Sequence, residues 1–175
     1  MGVSGLLLLF PFLLLRFGLL GRLGRDGPGR AAHIPPMGGR ERLAYWVYQL
    51  SSAGVLVCLC AQRAEVDGAW PFWAGLVLYL LGLALCAGAV VSFGRPSPGP
   101  FREDGLYRFS RNPMYVSYFV YFAGCVLLTR SRLLAALVLL FQLSEHWIIL
   151  AEERWCREQF GAPYEAYRKR VRRYL

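Results

Sequence analysis

Residues 115–151 read YVSYFVYFAGCVLLTRSRLLAALVLLFQLSEHWIILA. Two apolar runs, 115–128 and 133–151, are joined only by Thr129, Arg130, Ser131 and Arg132. A connection that short predicts an antiparallel helical hairpin. The second run approaches the ~20 residues a spanning helix needs, and the first falls well short of it. The first arm is therefore expected to tilt against its neighbours or to span incompletely.

Working outward, three more apolar runs end where charges begin, because a charge at the bilayer centre costs at least ~2.5–3.5 kcal/mol. They cover residues 3–20, 43–61 and 70–93. The first contains Arg16 but no basic leading region and no A-x-A cleavage site, so it reads as a retained helix and not a signal peptide. The expected fold class is all-α: a polytopic membrane protein of about five transmembrane helices, with a C-terminal helical hairpin and a cytoplasmic amphipathic tail. Residues 1–93 form an N-terminal half of three helices with a basic loop. Residues 94–175 form a second half of loop, hairpin and tail. Composition agrees, since 56% hydrophobic residues exceed the ~45–50% of a soluble domain. A chain of 175 residues also has no room for a Rossmann half plus a substrate domain, which argues against a soluble nucleotide-binding enzyme.

The formal charge is +9, yet nineteen of the twenty basic residues are Arg and they sit between apolar runs. That pattern reads as a basic surface at the membrane edge, with no nucleic-acid partner. Segments 21–42, 94–112 and 152–175 hold five, four and seven basic residues, whereas 62–69 holds only Arg63 beside Glu65 and Asp67. The positive-inside rule places the three basic segments in the cytoplasm, at a bacterial inner membrane or the endoplasmic reticulum. Arg130 and Arg132 at the hairpin turn run against that rule. Residues 21–40, rich in Gly, Pro and Arg, read as a flexible cytoplasmic linker. The five cysteines form no CxxC pair and the only histidines are His33 and His146, so neither a disulfide framework nor a metal site is expected.

Two places can carry chemistry. Pro96, Pro98 and Pro100 give the loop after the third run an extended course, and Pro113 suits the first turn of the next helix. Asn112 is then a plausible N-cap. Free amides at that helix start, beside Arg108 and Arg111, suit a carboxylate or phosphate, although an interfacial belt of Tyr and Arg would look the same. On the last run Glu145 and Glu152 are seven apart and share one helical stripe, with His146 and Glu153 on the adjoining one. Glu145 is the only acidic residue deep in a membrane run, either functional or paired with His146 or Arg16. The short turn brings Glu152 and Glu153 to the same face as the Arg111 loop, so a carboxylate meets a basic, amide-rich turn. Beyond them the helix is expected to stop at Gly161, before Pro163. A second short helix with Tyr164, Tyr167 and Val171 on one face would then lie along the membrane surface.

The order Gly105-x-Tyr107, Arg111-Asn112-Pro113-x-Tyr115, Glu152-Glu153 and Phe160-Gly161 with Tyr164 and Tyr167 resembles the integral-membrane methyltransferases of the isoprenylcysteine carboxyl methyltransferase and phospholipid methyltransferase superfamily. The resemblance covers the chain from Pro100 onward. It implies S-adenosyl-L-methionine as cofactor, bound from the cytoplasmic side by Tyr107, Arg111, Asn112, Pro113, Tyr115, Glu152 and Glu153. It also implies a lipophilic, membrane-partitioned acceptor. The residues agree with that ligand: its sulfonium, ammonium, carboxylate and adenine call for a carboxylate, amide donors and an aromatic face. Two positions depart from the pattern. Asn112 stands where many relatives have His, and Ile148 stands where the isoprenylcysteine enzymes have an arginine serving the acceptor carboxylate. Loss of that arginine argues against a prenylcysteine acceptor and leaves His146, with Glu145, as the expected catalytic pair, His being the natural base near neutral pH. The acceptor is expected to enter past Tyr118, Tyr121 and Trp147. Two other readings compete: an NADPH-dependent sterol or enone reductase-like enzyme, and a non-catalytic membrane scaffold on a methyltransferase-like frame.

Overall fold

The computed structural model describes residues 2–23, 35–95 and 99–175. Most of the linker expected at 21–40, with His33, lies outside the described residues, as does the part of the proline-rich loop at 96–98. Among the described residues five helices follow one another: α1 (Gly5–Leu23), α2 (Arg40–Ala61), α3 (Trp70–Gly94), α4 (Pro113–Thr129) and α5 (Arg132–Arg170). Two three-residue strands, β1 (Gly2–Ser4) and β2 (Arg63–Glu65), pair antiparallel. The all-α membrane class is thus observed. Four helices among the described residues are long and apolar enough to cross a bilayer, and α4, at 17 residues, is the short one the sequence indicates.

Local chemistry explains the element ends. Pro113 opens α4 in the first helical turn, where its missing N–H costs nothing. Arg130 closes α4 in the left-handed region (φ 48°), donating its amide to the Val126 carbonyl at 2.8 Å. Ser131 then caps α5 by accepting from the Leu134 amide at 3.2 Å. Arg130 at this turn reaches Glu65 and Asp67, each at 2.7 Å, which accounts for an arginine at the end of the molecule the charge rule leaves acidic.

The two hairpin arms do not pack along each other. Helix α4 lies along α3 and α5 along α2, while contacts between α4 and α5 are sparse. The α3–α4 seam is close because Gly82 meets the Tyr121 backbone and Gly124 meets that of Tyr79: a Cβ on either would approach to 2.5 and 2.4 Å. Helix α1 fits against this pair. Phe12 stacks on Tyr121 at 4.5 Å, and the hydroxyls of Tyr79 and Tyr121 both donate to the Leu8 carbonyl at 3.0 Å. Large apolar side chains such as Phe10, Leu50, Val77 and Leu143 remain exposed around the outside, as a lipid-facing surface requires.

One local feature goes beyond the expected spans, and one expectation needs correction. Residues Leu14–Leu19 of α1 are π-helical, a local widening the apolar pattern does not encode. The tail does break at Gly161 (φ 56°), but its tyrosines face the protein and not the membrane surface. Tyr164 and Tyr167 are buried against Phe101, with ring centroids at 5.3 and 5.5 Å, and the Tyr167 hydroxyl donates to the Tyr107 carbonyl at 2.7 Å. Val171 lies past the helix end. Aromatic partners from the preceding loop bury these rings more completely than an interface would.

Candidate functional site

The end of the bundle opposite the α4–α5 turn gathers the polar residues singled out in the sequence, and the structure sorts them into two groups. One group straps the C-terminus down. Arg111 places Nη2 2.8 Å from Glu153 Oε1 and Nε 3.1 Å from the same atom, while its Nη1 donates to the carbonyls of Arg168 and Val171 at 3.0 and 3.2 Å. Arg173 holds the other Glu153 oxygen at 2.9 Å, and that ion pair keeps its guanidinium pKa above the usual value. Arg111 and Glu153 are nearly closed off from solvent, at 9% and 5% side-chain exposure. Asn112 precedes α4 but makes no cap; its amide donates instead to the Arg173 carbonyl at 3.1 Å. These three residues hold the chain's own tail, and all three also line the cavity described next.

The second group faces a cavity of about 700 Å³ between the α3–α4 and α2–α5 pairs, with α1 along its side. Glu152 lines it and accepts from the Tyr115 hydroxyl at 2.8 Å, its one protein partner among the described residues. Tyr107 lines it too, and burial pushes its phenol pKa up, so the ring stays neutral. Met114 and Tyr115, also in the wall, occupy the first turn of α4, where amides have no intrahelical acceptor. The Phe101, Phe160, Tyr164 and Tyr167 rings close this end. Toward the middle of the bundle the wall turns apolar, with Phe12, Leu13, Leu56, Phe122 and Phe141.

Glu145 and His146 are not among the residues lining the cavity. Glu145 is 2% exposed and accepts from the Gln142 side chain at 2.7 Å, neither from His146 nor from Arg16, and its Oε1 has no partner among the described residues. His146 Nδ1 lies 2.6 Å from the Tyr174 hydroxyl at the surface. Helical period puts residues on shared stripes but leaves open which stripe a neighbour covers, and α2 covers the one carrying Glu145. Of the expected portal residues, Tyr118 lines the cavity, Tyr121 is buried in the α1 contact, and Trp147 is 47% exposed outside it. The sequence reading left out α1 and α2 as contributors: Arg16, Phe12, Tyr48 and Ser52 are all in the wall. Arg16 had a signal, a lone charge inside an apolar run; Tyr48 and Ser52 had none.

Comparison with known proteins now bears on this geometry. The phospholipid methyltransferase family model matches residues 70–163, a stretch that runs from the start of α3 to the tail. A protein-S-isoprenylcysteine O-methyltransferase of Schizosaccharomyces pombe is 39% identical over 157 aligned positions, covering 73% of this chain. The chain spans 65% of the length of that relative. No solved structure matches the chain.

Proposed function

The chain belongs to the phospholipid methyltransferase family, and from that premise we propose that it transfers a methyl group from S-adenosyl-L-methionine to a lipophilic acceptor held in the membrane. The observation that carries the reading is one cavity with two kinds of wall, a polar end built on Glu152, Tyr115 and the first turn of α4, and an apolar end between spanning helices.

The polar end fits the cofactor in size and charge. A volume of about 700 Å³ lies within the range of small-molecule sites. Glu152, with one protein partner, has hydrogen-bonding capacity left for an ammonium or ribose hydroxyl. The amides of Met114 and Tyr115 at the positive end of α4 suit a carboxylate. Phe101, Tyr107 and Tyr164 offer faces to an adenine or a sulfonium. Bound there, the cofactor supplies an electrophilic methyl group. The protein supplies position and dryness: Glu152 orients the donor, the Arg111–Glu153–Arg173 strap closes the polar end, and the apolar wall excludes water and admits a lipid tail. In this reading Glu145 stays buried outside the cavity and His146 sits at the surface beside Tyr174, so neither touches the acceptor. The basic end faces the cytoplasm.

Calorimetry on the full chain in detergent, with S-adenosylmethionine, S-adenosylhomocysteine and NADPH in parallel, tests the reading. Binding of the first two is expected, weakened about ten- to a hundredfold by Glu152→Gln as a charge-assisted contact is lost. Binding of NADPH alone would replace this reading with a reductase.

A further inference from the structure

Arg16 is the one charge of the first apolar run, and keeping it there costs at least ~2.5–3.5 kcal/mol unless something meets it. The π-helical turn Leu14–Leu19 carries it, a distortion that recurs at functional positions. Phe12, one turn earlier, is buried in the α4 contact, and Arg16 follows on the same side and lines the cavity. Its guanidinium lies 5.7 Å from the Phe17 ring, and no carboxylate among the described residues is within ion-pair distance.

A second, independent feature lies in the same wall. Tyr118 is 7% exposed, its hydroxyl has no hydrogen-bond partner among the described residues, and it lines the cavity. Buried hydroxyls rarely stay unpaired unless a ligand or water completes them. Arg16 and Tyr118 together offer several N–H donors and one O–H, with no hydrogen-bond acceptor among the described residues, beside the apolar wall of Phe12, Leu13 and Phe122. Ile148 is buried and is not in that wall.

We propose that Arg16 and Tyr118 form the subsite that recognises an anionic oxygen group, a carboxylate or a phosphate ester, on the head of the lipophilic acceptor. The inference rests on the methyl-transfer reading for the word acceptor, but the subsite itself is defined by binding. A half-buried guanidinium in a largely apolar wall discriminates, because an anionic head gains a charge-assisted contact that a neutral head cannot supply. An anion anchored there sets its tail among α1, α2 and α4 and its head toward Glu152 and the first turn of α4.

The test is binding by the full chain in neutral detergent of two matched pairs: N-acetyl-S-farnesylcysteine against its carboxamide, and lysophosphatidic acid against monoacylglycerol. The acid of at least one pair is expected to bind at least about tenfold more tightly than its neutral mate, and which pair shows the preference tells carboxylate from phosphate. Arg16→Gln is expected to abolish the preference, Arg16→Lys to keep part of it, and Tyr118→Phe to reduce it about three- to tenfold. In all three variants S-adenosylhomocysteine affinity should stay within about twofold of wild type, which also shows that the fold is intact. No acid preference in wild type, or a preference that survives Arg16→Gln, overturns the proposal. A loss that instead falls on S-adenosylhomocysteine also overturns it, since Arg16 would then hold the cofactor carboxylate. An Arg16-dependent preference in a protein that binds no S-adenosylhomocysteine would uphold the anion subsite and sink the methyl-transfer reading.

Discussion

Glu152 and Glu153 follow each other on α5, about 100° apart around the helix, so they meet different neighbours. Both line the cavity, but Glu152 accepts from Tyr115 whereas Glu153 is held by Arg111 and Arg173. Their substitutions should therefore fail in different assays. Glu153→Ala removes the shared anion and leaves two guanidinium groups facing each other, one of them nearly buried. Breaking a buried ion pair on one side costs ~3–5 kcal/mol, discounted here toward the lower figure because Arg173 is a third exposed. A fall of several degrees in the thermal midpoint is expected, read by the unfolding of the detergent-solubilised chain, with cofactor affinity reduced only through the loosened strap. Glu152→Gln should show the reverse, weak binding with an unchanged midpoint. Equal midpoints for wild type and Glu153→Ala would show that the strap contributes nothing.

At the scale of elements, the α3–α4 seam decides where the cavity lies. Lipid tails are as apolar as leucine, so helices associate in a bilayer by close packing, and small residues allow it. Gly82 and Gly124 let backbones touch, which draws α4 onto α3 and away from α5. The gap that remains between the hairpin arms is the cavity. Gly82→Ala drives a methyl into the Tyr121 backbone, which cannot rotate away, and overpacking of that kind costs ~1–3 kcal/mol. Gly21→Ala, with nothing within 4 Å of the added Cβ, is the control and is expected to be neutral or slightly stabilising from helix propensity. Thermal unfolding of the two variants side by side checks this: similar midpoints would mean that the seam is plastic.

For the whole molecule, the paired strands and the Arg130 contacts to Glu65 and Asp67 hold one end of the bundle, and the strap around Glu153 holds the other. The cavity's polar part is at the strapped end. The orientation that puts this end in the cytoplasm is tested with a membrane-impermeant thiol reagent on Asp67→Cys, in a chain with Cys60 and Cys156 changed to Ser. Asp67 is exposed, so labelling is expected from the outside only. Labelling from the cytoplasmic side alone would invert the molecule and remove the route for a cytoplasmic cofactor.

What was legible in the sequence is short in range. Spans follow from runs of apolar residues, the turn at 129–132 from their spacing, the start of α4 from Pro113 and the tail break from Gly161, because each depends on a few neighbouring dihedral angles or on transfer from water to lipid. The meeting of Tyr115 with Glu152 was also within reach, since a tight turn must return the two helix ends to one face. Tertiary structure alone decided that Arg111 and Glu153 satisfy each other, that His146 ends at the surface beside Tyr174, and that Arg16 from the first helix enters the cavity. Those outcomes turn on which helix covers which stripe. That choice is made by contacts between residues far apart in the chain, through glycine seams and a π-helical turn, and no periodicity along a single helix carries it.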